Sequence, residues 1–274
     1  MKVFANGINF HCEVEDSATG RPWITLSHAL ANNLSLWDDV VDALKGRFRI
    51  FRYDQRGHGK TEAVPGPYSF PMLMDDVLAL WNSLGIPRSH WVGLSIGGMI
   101  GYGLGISHPS KLISLVACDS RPDAPPDYAA YFQSRIDKAR EKGMEGVVES
   151  TIERWFTPQT VTENPPYLDK VRRMIRSTDP VGHEGCCEAL KTLSFGPRLS
   201  EIRLPTMIIG GAKDKGAPPD ILADAAAKIV DARHRAVPDA GHICVLENPL
   251  FFLSELQQFL SEFESDARSK AARQ

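Results

Sequence analysis

The sequence predicts an α/β fold: a mostly parallel, doubly wound sheet with a helical lid inserted before its last strands. Three observations lead there. Short apolar runs alternate with amphipathic segments, the pattern of strands joined through crossover helices. Several runs are almost continuously apolar, as parallel strands buried on both faces are. The alternation then stops over residues 121–196, where helical patterns follow one another without a strand between them.

In chain order, the candidate strands are residues 8–15, 23–27, 49–53, 90–94, 112–117, 206–210 and 233–237. Between the third and fourth, Phe70, Leu73, Val77, Leu80, Trp81 and Leu84 recur at helical spacing. Ser69 is placed to cap that helix, and Gly85 and Pro87 to stop it. Asn248-Pro249 reads as the cap and first residue of a last helix, with Phe252, Leu256, Phe259 and Phe263 as its apolar stripe. Residues 1–120 and 197–264 form the expected core. The insertion, 121–196, opens with Pro122, Pro125 and Pro126, is interrupted by Pro165-Pro166 and closes at Gly196-Pro197. It is expected to act as a lid over the carboxyl edge of the sheet. The polar residues 265–274 are expected to fray.

Composition narrows the function. The chain has 274 residues, 43% hydrophobic and 24% charged, which suits a globular protein. A net charge of −3 without a basic run argues against nucleic acid and anionic membranes as partners. The five cysteines are odd in number and lack a Cys-x-x-Cys spacing, so reduced thiols in a reducing compartment are expected, with no metal cluster. No apolar run reaches the ~18 residues of a membrane span, and the N-terminus lacks the apolar core of a signal peptide. A soluble, cytoplasmic protein is the expectation.

The chemistry centres on Gly93-Leu94-Ser95-Ile96-Gly97. This pattern carries meaning only between a strand and a helix, and it stands between residues 90–92 and a glycine-rich helical segment. A chain turning sharply enough to project the Ser95 hydroxyl needs small neighbours two residues away, as Gly93 and Gly97 are. The following segment keeps Gly98, Gly101, Gly103 and Gly105. Each interior glycine costs about 0.5–1 kcal/mol relative to alanine, so this helix is expected to be buried and packed closely on the sheet.

A serine hydroxyl needs a base, and the base an orienting carboxylate. His242 follows the last strand and precedes the last helix. His234 lies inside that strand, His90 and His108 flank the nucleophile's strand and helix, and His11, His58 and His183 fall outside the expected order. Asp214, after the apolar run at 206–209, is the candidate acid, with a solvated turn aspartate as its ordinary alternative. Asp119, one strand earlier, is the rival. The backbone N–H groups of Ile96 and Leu30 are the candidate oxyanion donors, the latter in the loop Ser27-His28-Ala29-Leu30. His28 reads as a brace of that loop close to the substrate, against the alternative of a partly exposed loop histidine.

These segments, together with Arg52-Tyr53-Asp54-Gln55-Arg56-Gly57-His58-Gly59 and Gly241-His242, resemble the α/β hydrolases, and within them the 3-oxoadipate enol-lactonases. The likeness spans residues 5–263. It includes Gly66-Pro67-Tyr68-Ser69 and, in the insertion, Glu153-Arg154-Trp155-Phe156-Thr157-Pro158. The resemblance implies cofactor-free opening of a lactone or ester through an acyl-enzyme on Ser95, in aromatic catabolism. It also implies a cation for the substrate carboxylate. Arg135 is the candidate, in a segment similar to the family's Trp-x-x-Arg but with Phe132 as the aromatic, and Trp155 could line the pocket. A solvated lid charge is the alternative for Arg135, and packing alone for Trp155. His28-Ala29 and Pro218-Pro219 depart from the family pattern. Rival readings are a carbon–carbon bond hydrolase of ring-cleavage products, a cofactor-free haloperoxidase or perhydrolase, another carboxylesterase, and a binding protein that keeps the fold without the chemistry. A carboxylate nucleophile, as in dehalogenases, is excluded by serine at position 95.

Overall fold

The computed structural model describes residues 1–263; the stretch expected to fray lies outside them. Among the described residues, eight strands form one sheet: β1 (Lys2–Ala5), β2 (Ile8–Glu15), β3 (Trp23–Ser27), β4 (Arg49–Tyr53), β5 (Ser89–Leu94), β6 (Leu112–Cys118), β7 (Thr206–Gly211) and β8 (Arg233–Val237). Their spatial order is β1-β2-β4-β3-β5-β6-β7-β8. β2 pairs antiparallel with β1 and β4, and every other pairing is parallel. The chain therefore reverses its direction of winding around β3, which sits between β4 and β5. In a doubly wound sheet, that switch point opens a crevice at the carboxyl ends of the strands.

β1 is the strand the apolar pattern misses. It has four residues at the sheet edge, too few for a period to show, and its Phe4 is 69% exposed. Asn6-Gly7 joins it to β2, with φ of 43° and 83°. Positive φ at both turn residues is the two-residue hairpin that Asn-Gly favours, so the signal was present in the turn and not in the strand.

The helices cover both faces: α1 (Asp38–Leu44), α2 (Phe70–Ser83), α3 (Ile96–Ser107), then α4 (Tyr128–Lys142), α5 (Val148–Trp155), α6 (Pro158–Glu163), α7 (Pro166–Ser177) and α8 (Pro180–Lys191), and finally α9 (Pro219–Ala227), α10 (Cys244–Glu247) and α11 (Pro249–Ser261). Ser69 caps α2 by accepting from the Met72 N–H at 3.3 Å, and Asn248 caps α11 by accepting from Phe251 at 3.3 Å. The α11 stripe is Phe252, Leu256, Phe259 and Leu260; Phe263 lies beyond the helix end and packs back on Phe259. Pro218-Pro219 starts α9, where a missing N–H costs nothing.

α4 to α8 form the insertion between β6 and β7. Its two ends are tied together: Phe195 N–H donates to the Pro122 carbonyl, and Ala124 N–H to that of Leu193, both at 2.9 Å. α8 docks on the core through glycines. A Cβ at Gly182 would stand 2.3 Å from the Gly57 Cα, and one at Gly185 would stand 2.6 Å from the Tyr68 ring. All five cysteines are buried and unbridged. Among the described residues, no helix is long and apolar enough to cross a membrane.

A buried ion pair lies beside the contact of α8 with Tyr68. Arg56 Nε donates to Asp76 Oδ2 at 2.6 Å, a second guanidinium N–H reaches Asp76 Oδ1, and Asn6 donates to the same carboxylate at 2.7 Å. The β1–β2 turn, the loop after β4 and α2 thus meet at one carboxylate. Removing one member of a buried pair leaves an uncompensated charge. Asp76→Ala is expected to lose about 3–5 kcal/mol of stability by chemical denaturation, and a loss below 1 kcal/mol would show that the pair is not holding these elements together.

Candidate active site

Ser95 occupies the turn between β5 and α3 with φ 56° and ψ −120°. A non-glycine residue held there carries about 1–3 kcal/mol of strain. Close packing imposes the turn. A Cβ on Gly93 would lie 2.2 Å from the Gly97 carbonyl oxygen, and one on Gly97 would lie 2.3 Å from the Ser27 oxygen. Ser95 N–H donates to the Cys118 carbonyl at 2.8 Å, and Ser120 Oγ donates to the Ser95 carbonyl at 2.9 Å, so the neighbouring strand end holds both sides of the turn. All of α3 from Ile96 to Ile106 is buried.

Loops after three other strands converge on this turn. Ser95 Oγ lies 3.0 Å from His242 Nε2, and His242 Nδ1 lies 2.8 Å from Asp214 Oδ2. With Nδ1–H donating to the carboxylate, Nε2 is left as the acceptor for the serine proton. The second Asp214 oxygen accepts the Gly216 N–H at 2.6 Å. Burial opposes charge on Asp214, but the His242 charge and hydrogen bond and the N–H groups of Gly216 and Ala217 outweigh it and hold the carboxyl below its ordinary value. Burial would likewise lower the His242 pKa. The charge and hydrogen bond of Asp214, assisted by Asp119, leave it above the ordinary histidine value.

Asp119 lies beside this pair and not in the hydrogen-bond path. It is fully buried with φ 47°, accepts the Gly211 N–H at 2.7 Å, and accepts the Cys244 N–H at 3.4 Å. It therefore joins the start of the loop carrying Asp214 to the end of the loop carrying His242. Burial first, and then the charge of Asp214, push its carboxyl up. One ligand atom from each of Asp119, Asp214 and His242 falls within 4.8 Å of the others, a spacing a metal could use. The donors are already committed, however: both Asp214 oxygens and His242 Nδ1 serve the hydrogen bonds above.

The two residues expected to supply oxyanion donors lie beside the serine and in its cavity. Ile96 is the first residue of α3, so its N–H has no carbonyl one turn back to bind. Leu30 lies in the loop after β3 and lines the same cavity as Ser95 and His242. His28 corrects the sequence expectation. It is fully buried behind the loop and does not line the cavity. Its Nδ1 meets the Ala29 carbonyl at 2.7 Å and its Nε2 accepts the Gln55 N–H at 2.9 Å, so both nitrogens are spent on backbone. The Gln55 side chain adds a 2.5 Å bond to the His28 carbonyl. The reading of His28 as a brace fits this geometry; a substrate contact and a partly exposed side chain do not.

The cavity over Ser95 measures about 30 Å³. Phe132, Arg135 and Trp155 line it, as the sequence suggested, joined by Tyr128, Tyr131, Arg154 and Leu190. Residues 128, 131, 132 and 135 recur at helical spacing on one face of α4, a stripe legible in the sequence but not singled out there. Arg135 is 7% exposed; it donates to Thr151 Oγ1 at 2.9 Å and lies 3.4 Å from the Tyr131 hydroxyl, while its Nε has no partner. The Trp155 indole lies 6.1 Å from the His242 ring.

Glu247 gave no signal in the sequence. One carboxylate oxygen accepts the Gly241 N–H at 2.6 Å; the other accepts the Thr157 N–H at 2.9 Å and the Thr160 hydroxyl at 2.6 Å. His242 N–H also donates to the Trp155 carbonyl at 2.6 Å. The insertion is thereby tied to the loop that carries the histidine.

The family model described as alpha/beta hydrolase fold matches residues 22–249. A 3-oxoadipate enol-lactonase 2 from Acinetobacter baylyi is 30% identical over 245 residues, covering 89% of this chain and 90% of the relative. The crystal structure of the enol-lactonase from Burkholderia xenovorans LB400 superposes with a TM-score of 0.91 at 32% identity, covering 95% of this chain and all of that one. A thermophilic esterase from Thermogutta terrifontis, with malate bound, reaches 0.87 at 25% identity over 96% of this chain and 98% of its own.

A base must be neutral to take a proton, and a raised pKa moves that condition to higher pH. The acidic limb of kcat/KM is therefore expected above pH 6.5, the ordinary histidine value. Asp214→Asn should lower kcat by about 10⁴-fold and move the limb to lower pH; a limb that stays put would assign the orienting role to Asp119. Glu247→Ala is expected to lower kcat by about 10²-fold through misplacement of the His242 loop, with Glu247→Gln recovering part of it in the same steady-state assay.

Proposed function

The chain belongs to the alpha/beta hydrolase fold family, and from that premise we propose that it is a serine hydrolase opening a carboxylate-bearing lactone or ester through an acyl-enzyme on Ser95. The observation that carries this reading is the continuous hydrogen-bond path from Ser95 Oγ through His242 to Asp214. In it, Ser95 Oγ attacks the acyl carbon while its proton passes to His242 Nε2. Negative charge then collects on the acyl oxygen, where the Ile96 and Leu30 N–H groups receive it. Collapse breaks the ring or ester C–O bond, and His242 returns the proton to the leaving oxygen. With a lactone, the leaving group stays tethered to the acyl-enzyme. Water, activated by the same histidine, then attacks the acyl carbon and frees Ser95 as a carboxylate product leaves.

Arg135 supports the carboxylate in this reading. A buried guanidinium demands charge compensation, and the described residues supply a hydroxyl contact, a longer phenol contact and the Tyr131 ring, none of them charged. The likeness to the two enol-lactonases favours a lactone.

A fluorophosphonate probe is expected to label the protein at Ser95 and to leave Ser95→Ala unlabelled; folded protein that resists labelling would end the hydrolase reading. Across a panel of enol-lactones, aryl esters and ring-fission diketones, the highest kcat/KM is expected for a carboxylate-bearing lactone. Arg135→Gln should lower that value by about 10- to 10²-fold, the worth of a charge-assisted hydrogen bond, and a diketone preference would move the assignment to carbon–carbon bond cleavage.

A further inference from the structure

The cavity over Ser95 shares three of its lining side chains, Tyr131, Arg135 and Arg154, with a groove of about 300 Å³ on the outer face of the insertion. Lys138, one turn beyond Arg135 on α4, lines the groove alone. Three cationic side chains thus surround the groove, and no acidic side chain lines it. In a chain of net charge −3, this is a local reversal of sign.

Among the described residues, none of Arg135, Lys138 and Arg154 has a carboxylate at ion-pair distance, whereas Arg140, Arg172 and Arg176, also in the insertion, each hold one at 2.6–3.0 Å. Arg135 is buried with its Nε unpartnered. Arg154 is half-buried and packs its guanidinium 4.3 Å from the Tyr131 ring centroid, while Arg135 stands 5.8 Å from the same ring. Two like charges beside one ring repel each other, and an anion between them relieves that repulsion. The inner cavity, at about 30 Å³, has room for only one or two waters, so a substrate needs side chains that line it to move. Arg154 is the side chain free to do so, since among the described residues no hydrogen bond or ion pair holds its charged end, which rests against the Tyr131 ring.

We propose that this groove is an anion-binding vestibule. It captures the carboxylate of an incoming lactone or ester between Lys138 and Arg154, and Arg154 then swings off Tyr131 to pass the ligand inward to Arg135. The proposal rests on the carboxylate-bearing substrate class argued above and adds the route and the residues that select it.

The test has two parts, one independent of catalysis. Calorimetric titration of the protein with glutarate at low salt is expected to show binding that weakens as ionic strength rises, while dimethyl glutarate does not bind. Lys138→Glu lies on an exposed surface and Arg154→Gln on a half-buried one, and each is expected to weaken glutarate binding about tenfold. Glutarate binding untouched by both substitutions, or equal binding of the diester, would overturn the vestibule. Kinetics then separate this proposal from the broader one. The ratio of kcat/KM for mono-4-nitrophenyl glutarate to that for 4-nitrophenyl pentanoate is expected to fall about tenfold in Lys138→Glu, and a ratio that stays constant would also overturn the vestibule. Salt-sensitive glutarate binding by a protein that cleaves neither ester would sink the hydrolase reading and leave the vestibule standing.

Discussion

The architecture of the site depends on the turn at Ser95. A non-glycine residue at φ 56° is strained, and it persists only where its surroundings leave the chain no alternative. Here the constraint is contact between backbones. Gly93, Gly97 and Ser27 approach so closely that even one methyl group would collide, which brings the ends of β3 and β5 together at the point where the sheet reverses its winding. The hydroxyl is raised above the carboxyl edge, and every other reacting group must come from a loop leaving that edge. Strand order, glycine content and serine geometry are one constraint seen at three scales.

Around the turn, each loop is held by a polar side chain, buried in every case but the half-buried Glu247, that lies outside the cavity lining. His28 and Gln55 lock the loop after β3, so the Arg52-to-Gly59 motif after β4 serves as its scaffold. Asp119 spans the loops after β7 and β8, and Glu247 ties the last of these to the insertion. A buried donor or acceptor left unpaired costs about 1–3 kcal/mol, which is why such side chains resist replacement by apolar ones of similar size. It is also why they are hard to distinguish from reacting groups by residue type alone.

That difficulty sets what could be read from the sequence. Ser95, its strand and helix, and the order of Asp214 and His242 were legible because each depends on local pattern: apolar runs, glycine spacing, a loop after a strand. The sheet was legible except for β1, whose evidence lay in Asn6-Gly7. His28 was placed correctly in its loop but on the wrong side of it, because burial is decided by Gln55, 27 residues away. Glu247 and Arg154 were invisible for the same reason. The first acts through Thr157 and Thr160, 90 and 87 residues distant, and the second through its position against Tyr131. No window of sequence contains such a contact.

The charges around the histidine link binding to chemistry. Asp214 and Asp119 favour a proton on His242, while Arg154, from the lid side, disfavours it. In the proposed reaction imidazolium forms in the transition state, so the arginine would oppose it whenever its charge is uncompensated. A substrate carboxylate held beside Arg154 or Arg135 offsets that charge, and in a cavity of about 30 Å³ little water remains to screen the effect. The same carboxylate that selects the substrate would then make His242 a better proton acceptor, at the moment Ser95 needs one. A neutral ester of equal size would bring no such change. Discrimination would therefore fall on the chemical step as well as on binding, the condition under which binding energy raises kcat.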